Sequence, residues 1–359
     1  MSSAGRVNGG KYEFDIPLVT LGNPDPVLPA IGFFGGVHGL ERIGSQVVIA
    51  FLHSLVMRLQ WDVLLRQQLQ KMRMVFMPIV NPGGMWRGTR ANPQGVDLMR
   101  NAPVHAQNGA AWWVGGQRYS RHLPWYQGAL GEPMQTEAQA LCEVVRSQLL
   151  THSFSITLDC HSGFGLTDRI WFPFANCARP MAHLPEVHAL SAILDQSQAQ
   201  HQYVMEPQSR QYRTHGDLWD YLYTPHNSAS EQVFLPLTLE MGSWLWVKKN
   251  PRQLLSKQGI FNPLITHRHN RVLRRHLVLL DFLTRAAFSH EEWLPQPTQR
   301  QDHYEQAAYF SDRGRLFQID RGRRFSVIAD ESRVRASRVG NIAQSSTINL
   351  KQAVQRSWM

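Results

Sequence analysis

The chain has 359 residues, with 37 Lys and Arg against 27 Asp and Glu (a formal charge of +10), 43% hydrophobic and 18% charged residues. That balance excludes general disorder, and the length allows a large core without covalent staples. The basic excess suits anionic partners, but no nucleic-acid module accompanies the local arginine clusters, so no nucleic-acid partner is expected.

Taken in chain order, the N-terminus MSSAGRVNGGKYEFDIP lacks the apolar core of a signal peptide. Residues 27–36 (VLPAIGFFGG) read as a buried strand running into a glycine turn. Residues 41–60 follow with Ile43, Val47, Ala50, Phe51 and Leu55 at helical spacing. The longest apolar stretch, 47–57, is too short to span a bilayer. A soluble, cytoplasmic protein without membrane contact is therefore expected. Residues 72–80 form a second strand, closed by Asn81-Pro82-Gly83-Gly84; strand–helix–strand predicts a crossover unit in a largely parallel sheet. Residues 83–130 are rich in Gly, Pro, Asn and Trp, a long loop region of the kind that carries function. Helix is predicted over 136–150 and 187–200, strand over 154–160, 170–174 and 234–241, and one or two helices over 251–288. A linker, LPQPTQRQ, then leads into an Arg-rich C-terminal segment. The expected organisation is a catalytic domain over 1–294 and a linker with a small β-rich appendage over 295–359. Cys142, Cys160 and Cys177 are odd in number and form no CxxC pair, so no disulfide framework is expected and Cys160 is read as a packed thiol.

A hydrolytic zinc site needs three protein ligands and one open position; two His and one Glu form a standard set. Two HxxE patterns occur, His38–Glu41 and His183–Glu186. The first ends a buried strand at the carboxyl edge of a sheet, where open α/β folds place ligands, and its Glu41 opens a helix near the positive end of the dipole. The second follows no strand and reads as a solvated helix start. His161, at the tip of the strand FSITLDC, is the candidate third ligand. Water activated at such a site needs a general base. Glu240, near the end of the apolar strand FLPLTLE, is that candidate, because a carboxylate there is costly unless paired or working.

At these residues the chain resembles the zinc metallocarboxypeptidase family typified by carboxypeptidases A and B. His38-Gly-Leu-Glu41, Asn81-Pro82-Gly83-Gly84 followed by Met85-Trp86-Arg87-Gly88-Thr89-Arg90, Gly95-Val96-Asp97-Leu98-Met99-Arg100-Asn101, Asp159-Cys160-His161-Ser162, Trp219-Asp220-Tyr221 and Leu237-Thr238-Leu239-Glu240 match its motifs in order. The resemblance implies that Arg87 polarises the scissile carbonyl, Arg100 pairs with a substrate carboxylate, Asp97 orients His38 and Tyr221 closes over the substrate. Met99 stands where the family has Asn, which implies weaker or rearranged binding of a free α-carboxylate.

Together these readings predict an α/β fold, a three-layer α/β/α sandwich with a mixed, mainly parallel twisted sheet and one Zn2+ ion at the carboxyl ends of its strands. The expected activity is hydrolysis of a peptide bond next to a carboxylate. Two alternatives stand beside it. One is an N-acyl amino acid deacylase of the succinylglutamate desuccinylase/aspartoacylase group, which shares a similar metal motif. The other is a catalytically silent zinc- or peptide-binding protein. Oligomeric state is not legible.

Overall fold

A computed structural model describes residues 2–10, 12–224 and 232–307. The core is an eight-stranded sheet in the order β1-β2-β4-β3-β5-β8-β6-β7. Its strands are β1 (Ser2–Asn8), β2 (Glu13–Gly22), β3 (Ala30–Gly35), β4 (Arg73–Met77), β5 (Phe154–Ser162), β6 (Arg169–Phe172), β7 (Val204–Pro207) and β8 (Val233–Met241). The central strands β4, β3, β5 and β8 pair in parallel, as do β6 and β7. Antiparallel pairs join β1 to β2, β2 to β4 and β6 to β8. Every residue of β3 and β5 is buried. Such strands read as continuous apolar runs because both faces are covered.

The strands' alternation sorts the helices onto two faces. Helix α1 (Arg42–Arg58) lies so close over β5 that a Cβ on Gly44 would collide with the Cys160 carbonyl oxygen. Helix α8 (Thr266–Phe288) packs beside α1 on that face. On the other face Trp219 of α6 (Leu218–Tyr223) donates from Nε1 to Asp159, the residue next to Cys160. Helix α4 (Thr136–Gln148) packs against β1 and α6 there. The mixed sheet with helices on both sides is the expected sandwich.

The remaining helices are shorter. Asp62 ends the loop after α1, pairs with Arg58 at 2.8 Å and caps α2 (Val63–Gln70) by accepting from the Leu65 N–H at 3.0 Å. Helix α3 (Pro82–Arg87) is capped by the Asn81 side chain and starts with Pro82, whose missing N–H costs nothing at a first turn. Helix α5 (Leu184–Ser197) leads toward β7. After β8 come α7 (Trp244–Lys249) and a 3-10 turn, Pro251–Leu255, ahead of the single long α8; α9 (His290–Trp293) follows it. Among the described residues no single helix is long and apolar enough to cross a membrane. The appendage expected over 295–359 lies, from residue 308 onward, outside the described residues; 300–307 are helical.

Candidate metal centre

Parallel strands β3, β5 and β8 end side by side, and their carboxyl ends carry the site. His38 follows β3 after Gly36 and Val37. Glu41 is the residue on which α1 begins; its side chain makes no helix cap. Instead its Oε2 accepts from the Ser162 N–H at 2.9 Å and lies 3.2 Å from His161 Nδ1. His161 and Glu240 sit opposite each other in register on β5 and β8. His38, Glu41 and His161 each offer one ligand atom, and these atoms lie within 4.8 Å of one another. All three residues are buried.

The protons of this cluster show what it is built to hold. His161 Nε2 lies 2.7 Å from Asp159 Oδ2, which also accepts from Trp219 Nε1 at 3.1 Å. With its Nε2–H given to Asp159, His161 turns Nδ1 toward the Glu41 carboxylate. Two acceptors facing at 3.2 Å require a proton or a cation between them. Without a metal that role falls to a proton: burial alone would lower the His161 pKa, but Asp159 and Glu41 hold it well above its ordinary value. His38 behaves oppositely. Burial, then the positive charges of Arg90 and His161, push its pKa well down, so it stays neutral with a lone pair to offer. Its Nε2 accepts from Arg90 at 2.7 Å, while its Nδ1 lacks a hydrogen-bond partner, 3.5 Å from Asp97 Oδ1. A neutral imidazole, a second imidazole oriented by a carboxylate and a buried Glu make a donor set that fits a divalent ion.

Glu240 accepts from the Phe164 N–H at 2.9 Å. Burial, then the nearby Glu41 charge, push its carboxyl pKa up to about 8 against the pull of His161 and Arg90.

The arginines differ from the sequence expectation. Arg87 is exposed and donates to the Pro93 and Gly9 carbonyls, each at 2.8 Å. Arg90 lies in the cluster, bonded to Asp97 at 2.8 Å, Glu41 at 3.1 Å and His38. Burial opposes its charge, but Asp97 and Glu41 hold its pKa above the ordinary arginine value. The local cause is Gly88, left-handed at φ 65°, which ends α3 and turns the chain so that the second arginine of the motif, not the first, faces inward. Asp97, expected to orient His38, is fully buried with Oδ1 3.5 Å from His38 Nδ1, and its closest partners are Arg90 and the Met99 N–H.

Arg100 is buried; its Nε and Nη2 donate to the Val114 carbonyl at 3.2 and 3.1 Å, its Nη1 to Met99 O at 3.0 Å. The Met99 side chain belongs to the apolar core and offers the site no polar group. Tyr221 lies elsewhere, because α6 turns it toward α4. There the Arg146 guanidinium sits 5.1 Å from its ring centre in a groove of about 580 Å³ that also borders β1. The tyrosine that the structure brings to Arg100, Glu240 and Arg90 is Tyr212, packed against Phe164 and Trp171 at ring distances of 5.7 and 6.1 Å. No motif marked it: Tyr212 stands in an irregular stretch after a 3-10 turn. Asp159 belongs to the motif Asp159-Cys160-His161-Ser162, and the two-residue alternation of a strand is the signal that places it beside His161. The second HxxE is structural. The His183 N–H donates to the Tyr223 hydroxyl at 3.1 Å, and Glu186 is paired with Arg300.

Two imidazoles and a carboxylate converging on one point, with a buried carboxylate alongside, define a metallohydrolase centre. A family model, zinc carboxypeptidase, matches residues 14–245, and the chain belongs to that family. The family uses zinc, and among the described residues the His38, Glu41 and His161 triad is the group that can hold a metal. Among solved structures the fold is similar to that of thrombin-activatable fibrinolysis inhibitor, at 18% identity and TM-score 0.56, covering 77% of this chain and 66% of that one, just under two thirds. Bovine thrombin-activatable fibrinolysis inhibitor in complex with tick carboxypeptidase inhibitor aligns at 17% identity and TM-score 0.53, over 80% of this chain and 90% of that one. Carboxypeptidase A from Helicoverpa armigera aligns at 17% identity and TM-score 0.50, over 77% and 68%. No curated protein matches the sequence.

Proposed function

We propose that this chain is a single-zinc peptidase that hydrolyses an amide bond next to a carboxylate, with the reactivity of a metallocarboxypeptidase. The observation that carries this reading is the convergence of His38, Glu41 and His161 within 4.8 Å, on strand ends shared with Glu240. Bound there, zinc supplies a Lewis acid and lowers the pKa of a water beside it toward neutrality. Glu240 takes a proton from the attacking water and delivers it to the leaving nitrogen. Burial raises the pKa of this carboxyl group, so a proton it has taken is held until the leaving nitrogen accepts it. Asp159 holds the His161 ring, and Asp97 and Glu41 hold the Arg90 guanidinium. The polarising role expected of Arg87 passes in this reading to Arg90, whose N–H groups stabilise the developing oxyanion.

Arg100 has five N–H donors, and three go to backbone carbonyls. The others serve the Tyr212 hydroxyl and one oxygen of a substrate carboxylate. With Met99 apolar, the grip on that carboxylate is weaker than a side-chain amide would make it.

The decisive experiment is Glu240→Gln. It lowers kcat on peptides with a free C-terminus by about 10²–10⁴ while the zinc content by atomic absorption stays that of the wild type. Loss of zinc in the variant removes the proton-transfer role. N-acyl amino acids run in parallel; faster turnover of these than of peptides moves the assignment to a deacylase. A zinc-filled wild type inert toward both sets overturns the hydrolytic reading.

A further inference from the structure

Between Met241 and Leu280 the sequence holds eight lysines and arginines and no Asp or Glu, a net +8 of the chain's +10. The structure brings this segment to the metal cluster. At its start, Trp244 donates from Nε1 to Gly163 O at 2.8 Å and from its backbone N–H to Gly165 O at 3.0 Å. Further on, Phe261 O accepts from Ser162 Oγ at 2.7 Å, and Asn262 accepts from the Ile43 N–H at 2.9 Å and donates to Leu40 O at 2.8 Å. Ser162 and Gly163 follow His161; Leu40 and Ile43 flank Glu41. Residues 244–262 are thus a flap tied at both ends to the loops that carry two of the three candidate ligands.

Lys248, Lys249, Arg252 and Lys257 are all exposed on this flap. Among the described residues, the ion pair formed to an Asp or Glu by a lysine or arginine of the acid-free segment is the one on α8 between Arg275 and Asp168, at 3.0 Å, and it leaves these four side chains out. Arg268 ties α8 to the flap by donating to Trp246 O and Lys249 O, so the exposed Arg271 and Arg274 extend the same patch. Isolated surface charges contribute little. Several of one sign beside a cleft raise the local concentration of an oppositely charged ligand, and salt screens the effect. Inside the cleft Arg90 and Arg100 carry the same sign. The flap shows no groove-entering element or recognisable nucleic-acid module, and α7, at six residues, is too short for an interfacial membrane helix. Its position beside a peptidase centre favours a peptide bearing carboxylates.

We propose that this flap is a docking surface for acidic peptides, so that preferred substrates carry Asp or Glu within a few residues of the scissile bond. This rests on the peptidase reading above and names the substrate class of the same site.

The test has two arms. In the first, fluorescence anisotropy compares a labelled Glu-rich peptide with a length-matched Gln-rich one on zinc-loaded Glu240→Gln protein. The Glu-rich peptide binds about ten-fold tighter at low ionic strength, and the advantage collapses at about 0.5 M salt. It also collapses when Lys248, Lys249, Arg252 and Lys257 are all changed to Ser. In the second arm, kcat/KM of the wild type on the two peptide classes shows the same ratio and the same salt dependence. Equal binding, an advantage that survives salt, or tighter binding to an oligonucleotide or to phosphatidylserine vesicles than to the Glu-rich peptide overturns the proposal. If peptides are hydrolysed with no acidic preference, the docking surface fails and the peptidase stands. If the Glu-rich peptide binds but nothing is hydrolysed, the peptidase reading fails instead.

Discussion

Two arginines three residues apart divide the labour at the residue scale. Arg87 ends α3 and spends its donors on the Gly9 and Pro93 carbonyls at the surface. Arg90 sits against two carboxylates and an imidazole of the cluster. A guanidinium held by Asp97 and Glu41 is fixed before substrate arrives, and fixed donors are what stabilise an oxyanion without reorganisation. Arg90→Ala therefore lowers kcat/KM about 10²–10³-fold in steady-state assays, whereas Arg87→Ala, an exposed change, shifts unfolding free energy by about 0.5 kcal/mol or less and leaves kcat within about two-fold. The reverse ranking would return the role to Arg87. The resemblance read from the sequence named Arg87, but the choice is made by the backbone at Gly88 rather than by either side chain. Tyr212 and Tyr221 illustrate the same limit: one reaches the cluster and the other the back of the sheet, and only the path of the chain distinguishes them.

At the scale of elements, the site depends on how closely α1 approaches β5. Glu41 is carried on the first residue of that approach and His161 on the strand beneath it, so the ligand spacing is the helix-to-strand spacing. Gly44 permits it, since any side chain there meets the Cys160 carbonyl oxygen. Gly44→Ala is expected to lift the first turn of α1. Overpacking of this kind costs about 1–3 kcal/mol, read as a lower denaturant midpoint, and it moves Glu41 away from His161, read as weaker zinc retention in competition with a chelator. An unchanged zinc affinity would show that Glu41 is positioned independently of α1. What was legible in the sequence follows from burial. Strands β3, β5 and β8 are covered on both faces and announced themselves as apolar runs, so the ligands at their ends could be named. Strand β1 is mostly exposed and β7 is short, and SSAGRVN or VMEP carries no apolar alternation. Helix α2 buries only Leu65 and so left no periodic trace. The expectation of one or two helices over 251–288 resolves into a 3-10 turn and the unbroken α8, because Pro251 and Pro263 keep the connecting segment from continuing as helix.

Over the described residues as a whole, an apolar core encloses several buried ionisable groups, and their protonation links stability to pH. His276 of α8 is the clearest case outside the metal cluster. It is buried, its Nδ1 lies 3.0 Å from the Tyr203 hydroxyl, and Asp168, 3.8 Å from its Nε2, is already engaged by Arg275 at 3.0 Å. Burial pushes the His276 pKa down to about 4; Asp168 pulls upward and Arg275 adds to the lowering. In the unfolded chain the same imidazole titrates near 6.5. Between those values the unfolded state holds the proton and the folded state does not, so stability rises with pH across the window. The contribution is full above about 6.5 and is lost as pH falls to about 4. With one pKa unit equal to about 1.4 kcal/mol, the loss is on the order of 3 kcal/mol. His276→Gln keeps a polar side chain beside Tyr203 but removes the titration. Urea unfolding of wild type and variant at pH 7 and pH 4 gives the comparison: the wild type loses about 3 kcal/mol more than the variant on acidification. Parallel losses in the two proteins would mean that His276 is protonated in the folded state, and that the α8–β6 side of the core opens to water well before the molecule unfolds.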